Sequence, residues 1–167
     1  MSVFVDANVF IRFFAWDDDA QAEAAERLFT AAREGKARLV TGPPVFFELA
    51  WTLGYRYKVA RGEILDIIEA VLAFPNMTVT DGQLVLAAVA LARETNSDFA
   101  DSYIAASAAA HGAESIATFN KKALRKARLQ DIRRALAAYK KPPPASRHAG
   151  GGFALREIPP LYPSFLF

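Results

Sequence analysis

Residues 1–14, MSVFVDANVFIRFF, join a short apolar strand to a helix, with a single acid between them. Val3–Val5 consists of β-branched and aromatic residues, a composition typical of a buried strand. Val9–Phe14 is predicted to start the first helix. Asp6 closes the strand and is the only charged side chain before Arg12. In a parallel α/β sheet, functional groups collect beyond the carboxyl ends of the strands, where we expect Asp6 to lie.

The same acid also has an ordinary structural explanation. Asp6 or Asn8 can cap the helix that follows, because both residue types are common at helix N-termini. The residues of this stretch leave a functional acid and a helix cap open as alternatives.

The rest of the chain repeats the alternation of short apolar strands with helices. Turn residues such as Gly42-Pro43-Pro44 separate the segments. This alternation predicts an α/β sandwich around a parallel sheet. Further strands are predicted at Arg38–Thr41, Met77–Thr80, Ser115–Thr118 and Phe153–Ile158, and helices at Ala20–Arg33, Val45–Tyr57, Arg61–Phe74, Leu84–Thr95, Phe99–Ala110 and Lys121–Tyr139.

Composition narrows the class of protein. A chain of 167 residues with 53% hydrophobic content predicts a compact domain with a sizeable core. The absence of cysteine excludes disulfides, thiolate metal sites and a cysteine nucleophile. The N-terminus lacks the pattern of a secretory signal, and no apolar run is long enough to span a bilayer. We therefore expect a soluble cytoplasmic protein with no membrane partner.

The net charge of +2 conceals a strong asymmetry along the chain. Residues 1–120 carry 9 Lys and Arg against 16 Asp and Glu, a balance of −7. Residues 121–167 carry 11 against 2, a balance of +9. A basic segment of this kind indicates either contact with a polyanion or a solvated basic helix, and charge alone does not separate the two.

Glu48 is the second acid in unusual surroundings. It is the only charged residue between Leu39 and Tyr55, within PPVFFELAWTLGY. Burying an unpaired carboxylate costs on the order of several kcal/mol, so Glu48 needs a cation, an arginine or a water-filled cleft. The alternatives are a partly exposed helix position or an ion pair with a distant residue.

Asp98 and Asp101 are the only charges between Glu94 and Glu114. Three residues apart, they can share one face at a helix start, where the helix dipole favours ionised carboxylates. A cap formed by Asp98 with Asp101 in the first turn explains the pair equally well. Asn120 follows the strand predicted at Ser115–Thr118, and its alternative role is that of a turn residue.

Isolated acids on several elements, without cysteine or clustered histidine, favour a hard cation. Carboxylate and amide oxygens suit Mg²⁺ or Mn²⁺ better than Zn²⁺. Asp81 directly follows Met77–Thr80, so a receiver-type phosphoacceptor protein is an alternative, although the adjacent acids that such a site needs are missing near Asp6.

Four segments in this order resemble the PIN-domain family, and within it the ribonuclease toxins of VapBC-type toxin–antitoxin pairs. The resemblance covers about residues 1–125. It rests on Asp6-Ala7-Asn8 after an apolar strand, Glu48 on a helix after a proline turn, Asp98-Phe99-Ala100-Asp101 before Ile104-Ala105-Ala106, and Thr118-Phe119-Asn120.

The resemblance implies a three-layer α/β/α sandwich with a four- or five-stranded parallel sheet. It also implies a site for Mg²⁺ or Mn²⁺ in which a metal-activated water hydrolyses RNA. By position, Asp6, Glu48 and Asp101 match the catalytic acids, and Asp98 matches the extra acid of a DFxD variant. Asn8 and Thr118 match supporting positions around the metal ligands.

Asn120 departs from the family pattern, which usually has an aspartate there. An amide oxygen can bind Mg²⁺ but adds no negative charge, so a second ion would be held less tightly unless Asp98 compensates, and the residues leave a one-metal and a two-metal site open. The departure also motivates a second hypothesis, a PIN-like module that binds RNA or protein and has lost cleavage.

The resemblance implies partners as well as chemistry. They are an RNA substrate, a small cognate antitoxin protein and a second copy in a homodimer. The basic residues Lys121, Lys122, Arg125 and Lys126 are predicted to bind the RNA backbone. We assign residues 1–141 to the nuclease domain and residues 142–167 to a Pro- and Gly-rich C-terminal extension.

Overall fold

A computed structural model describes residues 1–118 of the chain. That part contains three strands and six helices in alternating groups. They are β1 (Ser2–Phe4), α1 (Ala7–Ala15), α2 (Asp19–Arg33), β2 (Arg38–Thr41), α3 (Pro43–Tyr55), α4 (Arg61–Leu72), β3 (Met77–Val79), α5 (Gly82–Thr95) and α6 (Phe99–Ala110).

The three strands form one parallel sheet in the order β1-β2-β3. Their carboxyl ends therefore meet at one edge, as parallel pairing requires. The arrangement agrees with the predicted α/β sandwich. The register pairs Ser2 with Arg38 and Phe4 with Val40, and then Leu39 with Met77 and Thr41 with Val79.

Hydrogen bonds beyond the strand ladders close the carboxyl edge of the sheet. The buried Thr41 hydroxyl donates to the carbonyl oxygen of Val5 at 3.1 Å. The Thr80 hydroxyl donates to the carbonyl oxygen of Thr41 at 3.4 Å. A Cβ atom on Gly42 would clash with the Thr80 hydroxyl, so glycine permits this close approach. The edge that carries Asp6 is thus tied to its neighbours.

Local sequence explains where the helices begin. The Asp18 carboxylate caps α2 by accepting the backbone N–H of Gln21 at 3.0 Å. Pro43 and Pro44 occupy the first turn of α3, where a missing N–H costs nothing. Helix α3 consequently starts two residues before the predicted Val45.

The core lies between the sheet and the helices that cover it. Helix α3 packs against α1, α4 and α6, and α5 packs against α4 and α6. Within residues 1–118, no helix combines the length and the apolar character needed to cross a membrane. Side chains that are less than 2% exposed include Phe10, Phe46, Leu39, Leu49, Leu53, Ile67, Ile68, Val5, Val85 and Val89.

The strand predicted at Ser115–Thr118 is wrong, because this segment is not a strand in the structure. Ser115, Ala117 and Thr118 are exposed and Ile116 is partly buried, whereas β1, which is hardly more buried, is a strand because it pairs with β2. The described residues thus contain three strands of the four or five expected. The predicted helix Lys121–Tyr139, strand Phe153–Ile158 and extension 142–167 lie outside the described residues.

Candidate functional site

Asp6 lies at the carboxyl edge of the sheet, directly before α1. It occupies the N-cap position of that helix with an extended backbone, but its side chain makes no capping hydrogen bond. Instead, Asn8 Nδ2 donates to Asp6 Oδ2 at 3.2 Å. Both side chains are exposed. The helix-cap explanation for Asp6 is therefore wrong, and Asn8 orients a carboxylate that remains open to solvent.

Asp98 is also at a helix N-cap position without a capping bond. It precedes α6, its side chain is 79% exposed, and Arg61 Nη1 lies 4.0 Å from its Oδ1. Asp101 is in the first turn of the same helix. The reciprocal cap considered for this pair is absent.

Asp98 and Asp101 affect each other electrostatically. Partial burial raises the pKa of Asp101, and the negative charge of Asp98 raises it further. Both causes oppose the ionised form of Asp101. A cation held between the two carboxylates would relieve the repulsion.

A chain of hydroxyl groups fixes the connection from α5 to α6. The Thr95 hydroxyl donates to the carbonyl oxygen of Leu91 at 2.7 Å. The Ser97 hydroxyl lies 2.6 Å from that of Thr95 and 2.8 Å from that of Ser102. Ser102 is 1% exposed and directly follows Asp101. Because buried hydroxyls are costly to leave unpaired, this chain holds the first turn of α6 in place.

Aromatic packing joins the first turn of α6 to α3. The buried Phe99 ring has its centroid 6.5 Å from that of Phe46 and 5.7 Å from that of Phe47. Tyr103 meets Phe47 edge to face, with the centroids 5.0 Å apart. The helix turn that carries Asp98 and Asp101 is therefore seated beside the α3 turn that carries Glu48.

Glu48 itself is exposed on α3. Phe46 and Leu49, on either side of it in this part of the helix, are fully buried. Of the alternatives for this acid, the structure shows the exposed helix position and not a carboxylate enclosed by apolar side chains.

The structure gathers the predicted acids only in part. Within residues 1–118, no group of three or more His, Asp or Glu side chains is placed to hold a metal ion. Asp98 is the carboxylate whose charge raises the pKa of Asp101, and neither Asp6 nor Glu48 adds to that effect. The carboxylate oxygens of the four predicted acids are ligands that a hard cation prefers, but no three of these carboxylates come together in the structure.

The remaining predicted residues lie at or beyond the end of the described chain. Thr118 is the last described residue and is exposed. The structure gives no geometry for Asn120, nor for Lys121, Lys122, Arg125 and Lys126.

An aromatic feature of this surface was missed in the sequence. Trp51 and Tyr55 are exposed and stack on each other on α3, on the side that also carries Glu48. Their spacing from Glu48, three and seven residues, is the helical pattern that would have revealed one shared face. Asp81, already singled out in the sequence, follows β3; burial raises the pKa of Tyr103, and the negative charge of Asp81 raises it further.

Comparison with known proteins gives one match. The family model described as "PIN domain" matches residues 3–129, about three quarters of the chain. The matched range contains every candidate acid as well as Asn120 and the basic residues after it. Neither curated proteins nor solved structures give a significant match.

Proposed function

The chain belongs to the PIN domain family, whose members are generally metal-dependent nucleases, and on that basis we propose that it is an Mg²⁺- or Mn²⁺-dependent endoribonuclease. The observation that carries the proposal is the pair Asp98 and Asp101 at the start of α6. Asp98 makes no side-chain capping hydrogen bond to the helix, and the two carboxylates repel each other. This repulsion raises the free energy of the metal-free protein, and a bound cation would reduce it.

The residues proposed to hold the ion are those predicted from the sequence. Asp6, Glu48 and Asp101 are the catalytic ligands, and Asp98 and Asn120 are additional ones. When bound, a divalent ion supplies Lewis acidity, which lowers the pKa of a water molecule and offsets charge on a phosphodiester.

The chain's own residues support this chemistry in different ways. Asn8 holds the Asp6 carboxylate through its 3.2 Å hydrogen bond. Ser102 and Phe99 fix the turn that carries Asp98 and Asp101. Thr118 is proposed to support the ligands from the other end of the described chain. Lys121, Lys122, Arg125 and Lys126 are proposed to attract the RNA backbone towards an acidic site that would otherwise repel it.

The finer proposal is that the protein is the toxin of a toxin–antitoxin pair and forms a homodimer. Its support is the order of the four motif segments, which resembles VapC-type ribonucleases. Growth arrest on expression, relieved by co-expression of a small protein from the adjacent reading frame, is the expected result. Unimpaired growth at a level where the protein accumulates and cleaves RNA in extracts would contradict the toxin assignment.

A PIN-like module that binds RNA or protein without cleaving is the second candidate. Asn120, which stands where the family usually has an acid, and the incomplete gathering of acids within residues 1–118 favour it.

Calorimetric titration with Mn²⁺ separates the two candidates. The nuclease should bind Mn²⁺ with micromolar affinity and release protons as the pH approaches the raised pKa of Asp101. Asp101→Asn should abolish this binding, while Glu26→Gln, at an exposed acid on α2, should leave it intact. Wild-type protein that binds no Mn²⁺ would favour the non-catalytic module.

A further inference from the structure

An exposed aromatic pair on α3 has no role in the core. Trp51 is 64% and Tyr55 66% exposed. Their ring centroids are 5.0 Å apart and the ring planes differ by 13°, so the two rings are stacked. The opposite side of α3 packs into the core through Leu49 and Leu53, which are fully buried. The pair therefore presents flat aromatic surface to solvent.

One cation, Lys58, lies beside this pair, and a second, Arg56, directly follows Tyr55 in the chain. Lys58 Nζ is 5.0 Å from the Tyr55 ring centroid. Arg56 is exposed, and its guanidinium lies 5.6 Å from the centroid of the Tyr57 ring. Within residues 1–118, neither cation forms a salt bridge, whereas Arg12, Arg61 and Arg93 do. Flat rings next to cations without carboxylate partners are complementary to an aromatic polyanion.

The pair also lies on the same face of α3 as Glu48, one of the acids of the proposed site. Glu48, Trp51 and Tyr55 are separated by three and four residues, the spacing of neighbours on one face of a helix. A nucleic-acid strand stacked on Trp51 would therefore pass within one helical turn of Glu48.

We propose that Trp51 and Tyr55 form a stacking platform for unpaired bases of single-stranded RNA, with Lys58 and Arg56 contacting its backbone. The inference rests on the proposed ribonuclease function and names the part of the substrate that α3 recognises. Stacking on aromatic rings tolerates any base, because every base has a π-face. The platform thus selects unpaired RNA over duplex RNA without selecting a sequence.

The test measures RNA affinity of the full-length protein in EDTA, where metal-dependent cleavage cannot occur. The probe is a fluorescent single-stranded oligouridylate of about 12 nucleotides, with an RNA duplex as comparison. Trp51→Leu and Tyr55→Leu should each weaken oligouridylate binding about tenfold. Trp51→Phe, which keeps an aromatic face, should retain most of the affinity.

Trp16 provides the matched control, because it is the other of the two tryptophans and is also exposed. Trp16→Phe should bind RNA like the wild type. This variant also leaves Trp51 as the sole tryptophan. Binding of oligouridylate should then quench the fluorescence of Trp51. The salt dependence of affinity should survive Trp51→Leu but decrease in Lys58→Gln, since only the latter removes a phosphate contact.

Three outcomes would overturn the platform. One is unchanged oligouridylate affinity in both leucine variants. Another is equal wild-type affinity for duplex and single strand. The third is a dimer that becomes a monomer in Trp51→Leu, which would assign the pair to contact with a second copy.

The platform and the proposed function can fail separately. If the wild-type protein does not cleave RNA in Mn²⁺ but its RNA binding in EDTA still depends on Trp51, the proposed nuclease is rejected and the platform is kept. Metal-dependent cleavage by the wild type, with Trp51→Leu binding RNA equally well, would reject the platform alone.

Discussion

Asp101 illustrates how a single side chain combines a stability cost with a proposed function. Burial and the charge of Asp98 both raise its pKa, and no capping bond offsets them. Carboxylates whose pKa is raised by burial and by a neighbouring charge are typical of functional sites.

Removing the charge of Asp98 should lower the pKa of Asp101. Asp98→Asn deletes the repulsion but leaves the partial burial, so the pKa should move towards its ordinary value of 3.8 without reaching it. NMR titration of the Asp101 carboxyl carbon measures the change. Asp19→Asn, at an exposed acid in the first turn of α2, is the control and should leave the Asp101 titration unchanged.

Asp101→Asn should increase the stability of the metal-free protein at neutral pH. Because folding raises the pKa of Asp101, its contribution to stability is fully present below pH 3.8 and is lost as the pH rises through the folded pKa. The neutral amide avoids that loss. Urea unfolding at pH 7 and at pH 3.5 measures the free energy of unfolding, and the gain should be confined to pH 7. A variant less stable than wild type at pH 7 would contradict this account of Asp101.

Glu48 shows what residue order alone does not reveal. Its apolar neighbours indicate burial when they are read consecutively. At about 100° per residue, however, Phe46, Leu49 and Leu53 turn towards the core while Glu48, Trp51 and Tyr55 turn outwards. The position of Glu48 was thus accessible from helical periodicity, whereas its distance from Asp6 and Asp101 depends on how α3 and α6 pack.

Among the elements, the helices were predicted best. Periodic apolar residues, with turn residues between them, place most helix ends within two residues of those observed. Strands β1, β2 and β3 were found because each is a short β-branched or apolar run before a turn. Ser115–Thr118 has a similar composition but is not a strand, because composition does not record whether a neighbouring strand is available for pairing.

Helix α6 should depend on Phe99 for its position. The ring is 3% exposed and packs on Phe46 and Phe47. Phe99→Ala should lower the free energy of unfolding by about 3–5 kcal/mol, because it removes a buried ring and leaves a cavity. It should also weaken Mn²⁺ binding by loosening the turn that carries Asp101.

The comparison for Phe99→Ala is Phe74→Ala, a half-buried ring that packs on Phe29. It should destabilise the fold but leave the Mn²⁺ affinity of the folded fraction unchanged. Denaturant unfolding together with calorimetry at a temperature where both variants are folded makes the comparison. Equal Mn²⁺ affinity in wild type and Phe99→Ala would contradict a positioning role for this ring.

The whole chain combines an acidic α/β domain with a basic segment in one family match. The match runs to residue 129 and so includes Lys121, Lys122, Arg125 and Lys126. Segregated charge of this kind suits a nuclease that must hold a polyanion beside metal-binding acids. The fold class and the family were accessible from the sequence, while the relative positions of the acids were not, because they depend on segments far apart in the chain.

Cleavage of single-stranded RNA by purified protein, with and without Mn²⁺, tests the proposed nuclease. Wild-type protein and the Glu26→Gln control should cleave in Mn²⁺ and stop in EDTA, whereas Asp6→Ala should show no metal-dependent cleavage. Each variant needs the circular dichroism spectrum of the folded wild type for the comparison to hold. If Asp6→Ala cleaves as fast as wild type, or if wild type cleaves equally well in EDTA, the proposed metal site is wrong.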